Sequence, residues 1–255
     1  AESGGQVGDT GYIYGDGFTF EVENTTKTND GVILHYGRII DGDNAKTGDS
    51  VKTAIDSQRR DAIARNHTAA HLLQAALRKT LGSHVEQAGQ LVNENTVRFD
   101  FSHFSAMTSD ELKTVENEVN NIILSAESVT MTEMPIEEAK KTGAMALFGE
   151  KYGDVVRVVK AGDFSTELCG GTHVSNTGKL GLFKIITETS VAAGVRRIEA
   201  VTGTGVLNYI DSLNSKIFGT AAALKVANPS DIEKKAVSLS NELKEKDGEI
   251  EALTA

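Results

Sequence analysis

Residues 57–81 read SQRRDAIARNHTAAHLLQAALRKTL, and this stretch decides the fold of the chain. Its apolar side chains return at the spacing of one face of an α-helix, as do Ile63, Ala70, Leu73 and Leu77. Gly82 follows, and glycine commonly ends a helix because it accepts backbone conformations that other residues avoid. The stretch therefore predicts a long helix with one apolar face.

The segments on either side of this helix differ in pattern and divide the chain into three predicted parts. Residues 1–56 are rich in Gly, Thr and Asp and carry short alternating runs with hairpin turns, which predicts a small β-barrel-like subdomain. Residues 57–204 mix helical stripes with strand-like runs, so we predict an α+β core with helices against a central antiparallel sheet. Residues 205–255 place apolar residues among many charges, which is typical of a helical hairpin or coiled coil, here truncated.

The composition narrows the class of protein. The chain has 255 residues, 39% of them hydrophobic, which is enough to bury a core. Its net charge is −10, whereas proteins that hold nucleic acid mainly by its phosphates are basic. No apolar run approaches the roughly 20 residues that cross a bilayer, so we expect no membrane role. The single cysteine excludes an internal disulfide and favours a reducing, cytoplasmic location.

Two pairs of residues suggest one metal site. His67 and His71 lie four apart on the predicted helix, so their imidazoles share a face and can converge on one ion. Far downstream, Cys169 and His173 flank two glycines that let the backbone fold tightly. Three imidazoles and one thiolate suit tetrahedral Zn²⁺, so we predict a shared zinc site at these four residues.

The chemistry of that ion stays open at this level. Four protein ligands normally close a zinc site and make it structural, whereas a weak or displaced ligand leaves room for substrate or water. The segment between His67 and His71 lacks the glutamate that follows the first histidine in metalloproteases, so peptide hydrolysis by that scheme is disfavoured. The remaining alternatives are a hydrolase and a zinc-stabilised binding module without catalysis.

Several longer motifs carry a resemblance to a known family. They are RNHTAAHLL (65–73), RFDFSHF (98–104), GAMALFGEKY (143–152), DFSTELCGGTH (163–173), AESGGQ (1–6) and GVRRIEA (194–200). In this order they closely resemble the editing domain of alanyl-tRNA synthetases, over nearly the whole chain. Threonyl-tRNA synthetase editing domains are similar only around the histidine and cysteine pairs. Free-standing alanyl editing proteins share the first motifs, but the opening residues and the non-Met start resemble a piece of the full synthetase.

The resemblance implies an activity and a set of site residues. It implies hydrolysis of Ser-tRNA(Ala) and Gly-tRNA(Ala), zinc bound by the four residues above, and roles for Gln87 and Arg196. The segment that would aminoacylate tRNA is not expected in this chain, and the C-terminal helices are expected to mediate a homodimer in the parent protein. A site with a group that hydrogen-bonds the serine hydroxyl can distinguish a serine ester from an alanine ester, because the alanine ester leaves that group without a partner.

Further residues are candidates for contacts with the tRNA 3′ end. His103 follows a predicted strand and is a candidate proton relay, grouped with Gln87 and Arg196 as catalytic. The candidates for tRNA contact are Gln6, Lys151, Tyr152 and Arg197. Arg suits phosphate, and Tyr can stack on a terminal base. For each, an ordinary loop or surface role is the alternative.

Overall fold

The structure is a computed structural model that describes residues 2–28, 30–43, 45–145 and 153–254. Contacts divide the chain into two compact units, Ala1–Val206 and Leu207–Ala255. The first unit combines three antiparallel sheets with helices, which confirms the predicted α+β class. The predicted domain bounds at residues 56 and 204 stay a prediction.

The N-terminal sheet contains four antiparallel strands. In chain order these are β1 (Gly11–Gly15), β2 (Phe18–Lys27), β3 (Ile33–Gly42) and β4 (Lys52–Ile55), and their order in the sheet is β3-β2-β1-β4. Gly17 has a φ of +82° in the tight turn between β1 and β2, as the hairpin signal predicts. Within the described residues β3 and β4 stay unpaired with each other, so the sheet is open and "barrel-like" describes only its size and strand count.

Helix α1 (Ser57–Leu81) confirms the predicted helix residue by residue. The Asp56 side chain caps its start by accepting a hydrogen bond from the Arg59 backbone N–H at 2.9 Å. Gly82 ends it with a φ of +117°. Every residue from Asn66 to Gln74 is buried, so the middle of this helix is covered on all sides and its polar residues need partners inside the protein.

The central sheet packs beside α1. It consists of β5 (Gln87–Val92), β6 (Val97–Ser102), β10 (Phe183–Ala192) and β11 (Val195–Thr202) in the antiparallel order β10-β11-β6-β5. Helix α2 (Ser109–Leu124) packs against α1. The largest fully buried side chains of the core include Phe99, Phe101, Ile63, Leu72, Leu77, Ile123 and Ile198. This core holds α1 rigidly against the sheet.

A third sheet delivers the cysteine segment. Its strands are β7 (Val129–Pro135), β8 (Val155–Ala161) and β9 (Ser165–Leu168) in the order β7-β8-β9, with the short helix α3 (Ile136–Lys141) after β7. Strand β9 ends one residue before Cys169, and a 3₁₀ turn at Thr177–Leu180 follows the cysteine segment. The loop between β9 and this turn is therefore fixed at both ends.

The second unit is helical. Helix α4 (Thr204–Ala223) leads into it, and helix α5 (Ile232–Thr254) follows a 3₁₀ turn at Pro229–Asp231. None of the helices in the described part of the chain combines the length and apolar composition that crossing a bilayer requires.

Candidate metal centre

The structure brings together the four residues predicted to bind metal. One ligand atom each from His67, His71, Cys169 and His173 lies within 4.8 Å of the others. His67 and His71 are one turn apart on α1 and are 0% and 4% exposed. Cys169 and His173 come from the loop after β9, about a hundred residues later. The fold therefore converts two local sequence pairs into one buried cluster.

Close approach of the loop to α1 requires Gly171. A Cβ atom at this position would lie 2.0 Å from Cε1 and 2.2 Å from Nδ1 of His67. Arg157 on β8 holds the same loop from the other side, because its Nε donates to the Cys169 carbonyl at 2.9 Å and its Nη2 donates to the Gly171 carbonyl. The loop therefore lies between Arg157, which binds its carbonyl groups, and the ring of His67, which contacts Gly171.

Gln6 determines which nitrogen of His67 faces the cluster. Its Oε1 accepts hydrogen bonds from the Thr172 backbone N–H at 2.7 Å and the Thr172 hydroxyl at 3.1 Å, which identifies this atom as oxygen. The same Oε1 lies 2.8 Å from His67 Nδ1, so Nδ1 must carry the proton. The lone pair of Nε2 is then left facing Cys169 Sγ, 3.4 Å away.

Thr68 determines in the same way which nitrogen of His173 faces the cluster. Its hydroxyl donates to the Ala64 carbonyl at 2.9 Å, so it can only accept from His173 Nδ1 at 3.2 Å. His173 Nε2 consequently presents its lone pair to Cys169 Sγ at 3.4 Å. Fixing a ligating histidine through its other nitrogen is the usual arrangement around bound metals.

The electrostatics keep the imidazoles neutral. Burial, followed by the neighbouring His71 and Arg157, lowers the pKa of His67 well below its usual value. Burial, followed by His71, His67 and Arg157, lowers the pKa of His173, and burial followed by Arg157 lowers the pKa of His71 to about 3. Burial raises the pKa of Glu167, whose Oε2 is 3.6 Å from His71 Nε2, to about 8. Neutral imidazoles are the form that binds metal.

The spacing of these atoms fits a single ion. Tetrahedral zinc with its usual Zn–S and Zn–N bond lengths places sulfur and nitrogen about 3.5 Å apart, and the two sulfur–nitrogen separations here are 3.4 Å. Three nitrogens and one sulfur are also the donor set that soft and borderline metals prefer. The group can therefore hold one metal ion.

Replacing Gln6 tests this orientation. We expect Gln6→Ala to weaken metal binding by roughly 10–100-fold, because His67 Nδ1 loses its acceptor and the ring is free to turn. The measurement is a competition titration of the purified protein with a chromophoric zinc chelator. Gln6→Glu keeps an acceptor oxygen and should retain most of the affinity; equal losses in both variants would contradict an orienting role.

The metal-free protein should have a characteristic pH dependence of stability. Unfolded histidines bind protons below about pH 6.5, whereas the folded histidines of the cluster have lowered pKa values and do not, so the free energy of unfolding falls as the pH drops below that value. Glu167 acts in the opposite sense, since its pKa rises to about 8 on folding. We therefore expect stability to rise towards pH 6.5 and to decline from there to pH 8.

Urea unfolding of chelator-treated protein across pH 4.5–8 measures this profile. Glu167→Gln is the matched control, because it removes the carboxyl group whose pKa burial raises to about 8. The decline above pH 6.5 should disappear in this variant while the slope below pH 6.5 becomes steeper. If the decline in stability above pH 6.5 persists unchanged in Glu167→Gln, a group other than Glu167 causes it.

A turn from the N-terminus forms one wall of the cluster. Gly4 and Gly5 have φ values of +57° and +74°, and the Gln6 backbone N–H donates to the Ser3 carbonyl at 3.2 Å. A Cβ atom on Gly4 would lie 3.2 Å from Cys169 Sγ and 3.3 Å from His67 Nε2. Beside this turn, the Gln90 amide lies 3.4 Å from His67 Nε2, and its buried Oε1 finds no hydrogen-bond partner among the described residues. The side chain that contacts His67 thus carries a buried acceptor without a partner among the described residues.

The predicted catalytic residues Gln87 and His103 lie outside the cluster. Gln87 pairs with Phe101 and Gln90 with Phe99, because a bulge at the residue after Gln87 shifts the register of β5. Both glutamines therefore stand on one face of the sheet. His103 is 7% exposed and its Nδ1 lies 3.0 Å from Nε2 of His84. The catalytic roles stay predictions.

The two predicted arginines are each engaged by a carboxylate. Arg196 makes a two-pronged contact with Glu188, at 2.5 and 2.7 Å. Arg197 makes the same contact with Asp100, which stands directly opposite it in the strand register, at 2.6 and 2.7 Å. Gln6, predicted to contact tRNA, is 4% exposed and serves His67. Lys151 and Tyr152 lie outside the described residues. Contacts of all these residues with tRNA stay predictions.

Sequence reasoning missed four residues of the site, namely Thr68, Arg157, Glu167 and Gln90. Arg157 stands between valines of β8, and Glu167 precedes Leu168 in the mostly buried β9, so a charged residue in a buried strand was a usable signal for both. Gln90 gave no such signal, because its burial follows from contact with the N-terminal turn 86 residues away.

Comparison with known proteins agrees with this geometry. The family described as Threonyl and Alanyl tRNA synthetase second additional domain matches residues 156–199, and tRNA synthetases class II (A) matches residues 1–59. Alanine–tRNA ligase from Acetivibrio thermocellus is 55% identical over 253 residues, which cover 99% of this chain and 28% of the relative. Alanine–tRNA ligase 1 from Lachnoclostridium phytofermentans is 51% identical over 255 residues, 100% of this chain and 29% of the relative.

A third relative, alanine–tRNA ligase from Desulforamulus reducens, is 48% identical over 253 residues, 99% of this chain and 29% of its own length. The chain thus spans less than a third of the length of the curated relatives it matches. The matched range includes the four residues of the cluster, Arg157 and the N-terminal turn, because it covers nearly the whole of this chain. On these grounds the chain belongs to the alanyl-tRNA synthetase family.

Proposed function

We propose that this chain is the editing part of an alanine–tRNA ligase and hydrolyses the ester of Ser-tRNA(Ala) and Gly-tRNA(Ala). The observation that carries the proposal is the buried cluster of His67, His71, Cys169 and His173, whose ligand atoms lie within 4.8 Å of one another. The match of residues 156–199 to a domain of threonyl- and alanyl-tRNA synthetases supports it. Gly-tRNA(Ala) as a substrate rests on the family resemblance.

Zinc is the metal we propose for this cluster. Bound there, Zn²⁺ would polarise an ester carbonyl or lower the pKa of a water molecule. The thiol of Cys169 must stay reduced to ligate it, which fits a cytoplasmic location. Gln6 and Thr68 hold two imidazoles with Nε2 towards the cluster, and Arg157 holds the cysteine loop. We assign no covalent nucleophile, because a metal-bound thiolate is occupied and the ester is already labile.

Gln90 is the residue we propose to recognise the serine hydroxyl. Its buried Oε1 is without a hydrogen-bond partner among the described residues, and its Nε2 lies 3.4 Å from His67 Nε2. A buried acceptor without a partner costs about 1–3 kcal/mol, and a substrate hydroxyl that fills it recovers that cost. Alanine carries no hydroxyl, so its ester gains nothing from this contact. Gln87 stands on the same face of β5, and we propose, as the resemblance implies, that it orients the ester.

The test compares deacylation of Ser-, Gly- and Ala-tRNA(Ala) under identical conditions. We expect the serine and glycine esters to be cleaved faster than the alanine ester. Gln90→Leu keeps the size of the side chain but removes the acceptor together with the Nε2–H donor to the Gly4 carbonyl, so it should slow cleavage of the serine ester about 10-fold more than cleavage of the glycine ester. Equal effects on both esters would contradict recognition of the hydroxyl.

One alternative is favoured by the number of ligands. Four protein ligands commonly make a zinc site structural, in which case the chain would be a zinc-stabilised tRNA-binding module. That function predicts RNA binding without cleavage of any ester, and unfolding when zinc is removed. A free-standing editing protein would share the proposed chemistry.

The C-terminal helices are proposed to form a homodimer contact in the parent protein. Helix α4 exposes several apolar side chains, among them Leu213, Ile217 and Phe218. Sedimentation of the full-length parent, with Phe218→Ser as the variant, tests this proposal; an unchanged sedimentation coefficient would argue against it.

A further inference from the structure

A polar cavity opens beside the metal cluster and is used by none of the roles described so far. Its volume is about 520 Å³, and its lining includes Arg65, Lys179, Asp61, Ser175 and the metal ligand His173. The cavity therefore connects the surface of the protein with one edge of the cluster. We infer that it binds a phosphodiester group of the RNA backbone next to the aminoacylated end.

Two cations of this cavity have no protein partner. Within residues 2–28, 30–43, 45–145 and 153–254, neither Arg65 nor Lys179 makes a side-chain hydrogen bond or an ion pair. Asp61 lies one turn before Arg65 on α1 and lines the same cavity without pairing with it. By contrast Arg59, Arg60, Arg196 and Arg197 are all paired with carboxylates. An arginine and a lysine left unpaired around one cavity are typical of an anion site.

The fold fixes the backbone segments that carry both cations. Arg65 is half-buried and its Nε would lie 3.4 Å from a Cβ atom on Gly203, so its side chain runs beside the end of β11. The same Gly203 position is 3.4 Å from the Leu180 carbonyl, which follows Lys179. Lys179 sits in the 3₁₀ turn, which the Thr177 hydroxyl anchors to the Ile122 carbonyl at 2.7 Å. The two cations therefore belong to fixed elements on neighbouring sides of the cavity.

The charge balance selects the kind of anion. Arg65 and Lys179 contribute two positive charges and Asp61 one negative charge, so the lining is singly positive. A phosphodiester carries one negative charge and matches it, whereas a phosphate dianion would be undercompensated. Asp61 and Ser175 can in addition hydrogen-bond ribose hydroxyls, and each nucleotide of RNA carries such a hydroxyl beside its phosphodiester. The ligand is thus a ribose–phosphate unit of RNA.

This site deepens the proposed function on which it rests. A phosphodiester bound beside His173 would place the ester that follows it near the cluster, with the Gln90 amide beside His67. It also explains how a chain with a net charge of −10 can meet RNA, since the contact needs only a local pair of cations. Phosphate contacts of this kind position a nucleic acid and carry no sequence information.

Binding of an RNA hairpin that mimics the acceptor stem, without an amino acid, tests the inference. Fluorescence anisotropy is measured across a range of salt concentrations for the unaltered chain, Arg65→Gln, Lys179→Gln and the double variant. We expect each single change to weaken binding about 5–10-fold and to reduce the slope of log affinity against log salt by about 0.7–1. Arg65→Lys keeps the charge and should keep the slope.

Lys113→Gln on α2 is the matched control, because Lys113 is exposed and likewise makes no ion pair within the described residues, yet lies outside the cavity. Circular dichroism confirms that every variant is folded. An unchanged affinity and slope in the double variant, or no RNA binding by the unaltered chain even at low salt, would overturn the inference. Weaker RNA binding by the variants, with no ester hydrolysed by the unaltered chain, would instead support the cavity and refute the proposed hydrolase.

Discussion

Replacing Cys169 with alanine is expected to lower the hydrolysis of Ser-tRNA(Ala) by about 10³-fold, which corresponds to roughly 4 kcal/mol of barrier height. Cys169 Sγ is the atom that both His67 Nε2 and His173 Nε2 approach to 3.4 Å, so its loss removes the centre of the ligand set. The remaining three imidazoles would hold an ion less tightly and in another geometry. The measurement is deacylation under single-turnover conditions with a known zinc content.

The control for this experiment separates chemistry from folding. His35→Ala removes a histidine of β3 whose only ring contact among the described residues is with Thr25, so hydrolysis should be unchanged. Circular dichroism and urea unfolding of Cys169→Ala show whether the fold persists. A folded Cys169→Ala protein that has lost zinc but still hydrolyses the serine ester would contradict a role for the metal in the reaction.

Adding one methyl group at Gly171 is expected to destabilise the fold and the cluster together. The new Cβ would overlap the His67 ring at 2.0 Å and approach Gln6 Oε1 to 2.8 Å. The ring cannot retreat, because Gln6 and the cluster hold it on both sides and the helix around it is buried. We expect Gly171→Ala to cost about 2–3 kcal/mol of the free energy of unfolding. Metal affinity should fall with it, since the displaced ring is a ligand.

Gly219→Ala provides the matched comparison for this change. No atom lies within 4 Å of a Cβ at Gly219, which is inside helix α4. Alanine has the higher helix propensity, so this variant should be neutral or more stable by up to about 1 kcal/mol. Urea unfolding measures both variants. If Gly171→Ala unfolds at the same urea concentration as the unaltered chain, the loop can move away from α1 and is held less firmly than its contacts indicate.

The local part of the site could be predicted because its geometry is set by backbone periodicity. A spacing of four residues on a helix places His67 and His71 on one face whatever surrounds them. Cys169 and His173 were found by their residue types and by the glycines between them. Alternation along β11 likewise predicts that Arg196 and Arg197 face opposite sides, and they do meet different carboxylates, Glu188 and Asp100.

The sequence by itself determined the α+β class, helix α1 and which four residues could form a metal site, because periodicity and residue chemistry act over a few neighbouring residues. Only the tertiary structure decided what surrounds them. Gln6 reaches His67 across 61 residues of chain and Arg157 reaches the cysteine loop from the adjoining strand. Such contacts depend on how elements that are distant in sequence pack together. Packing is the result of many weak interactions, and a local sequence pattern does not reveal them. That same packing turned Gln6 inward to hold His67, and it left Arg65 and Lys179 facing an open cavity.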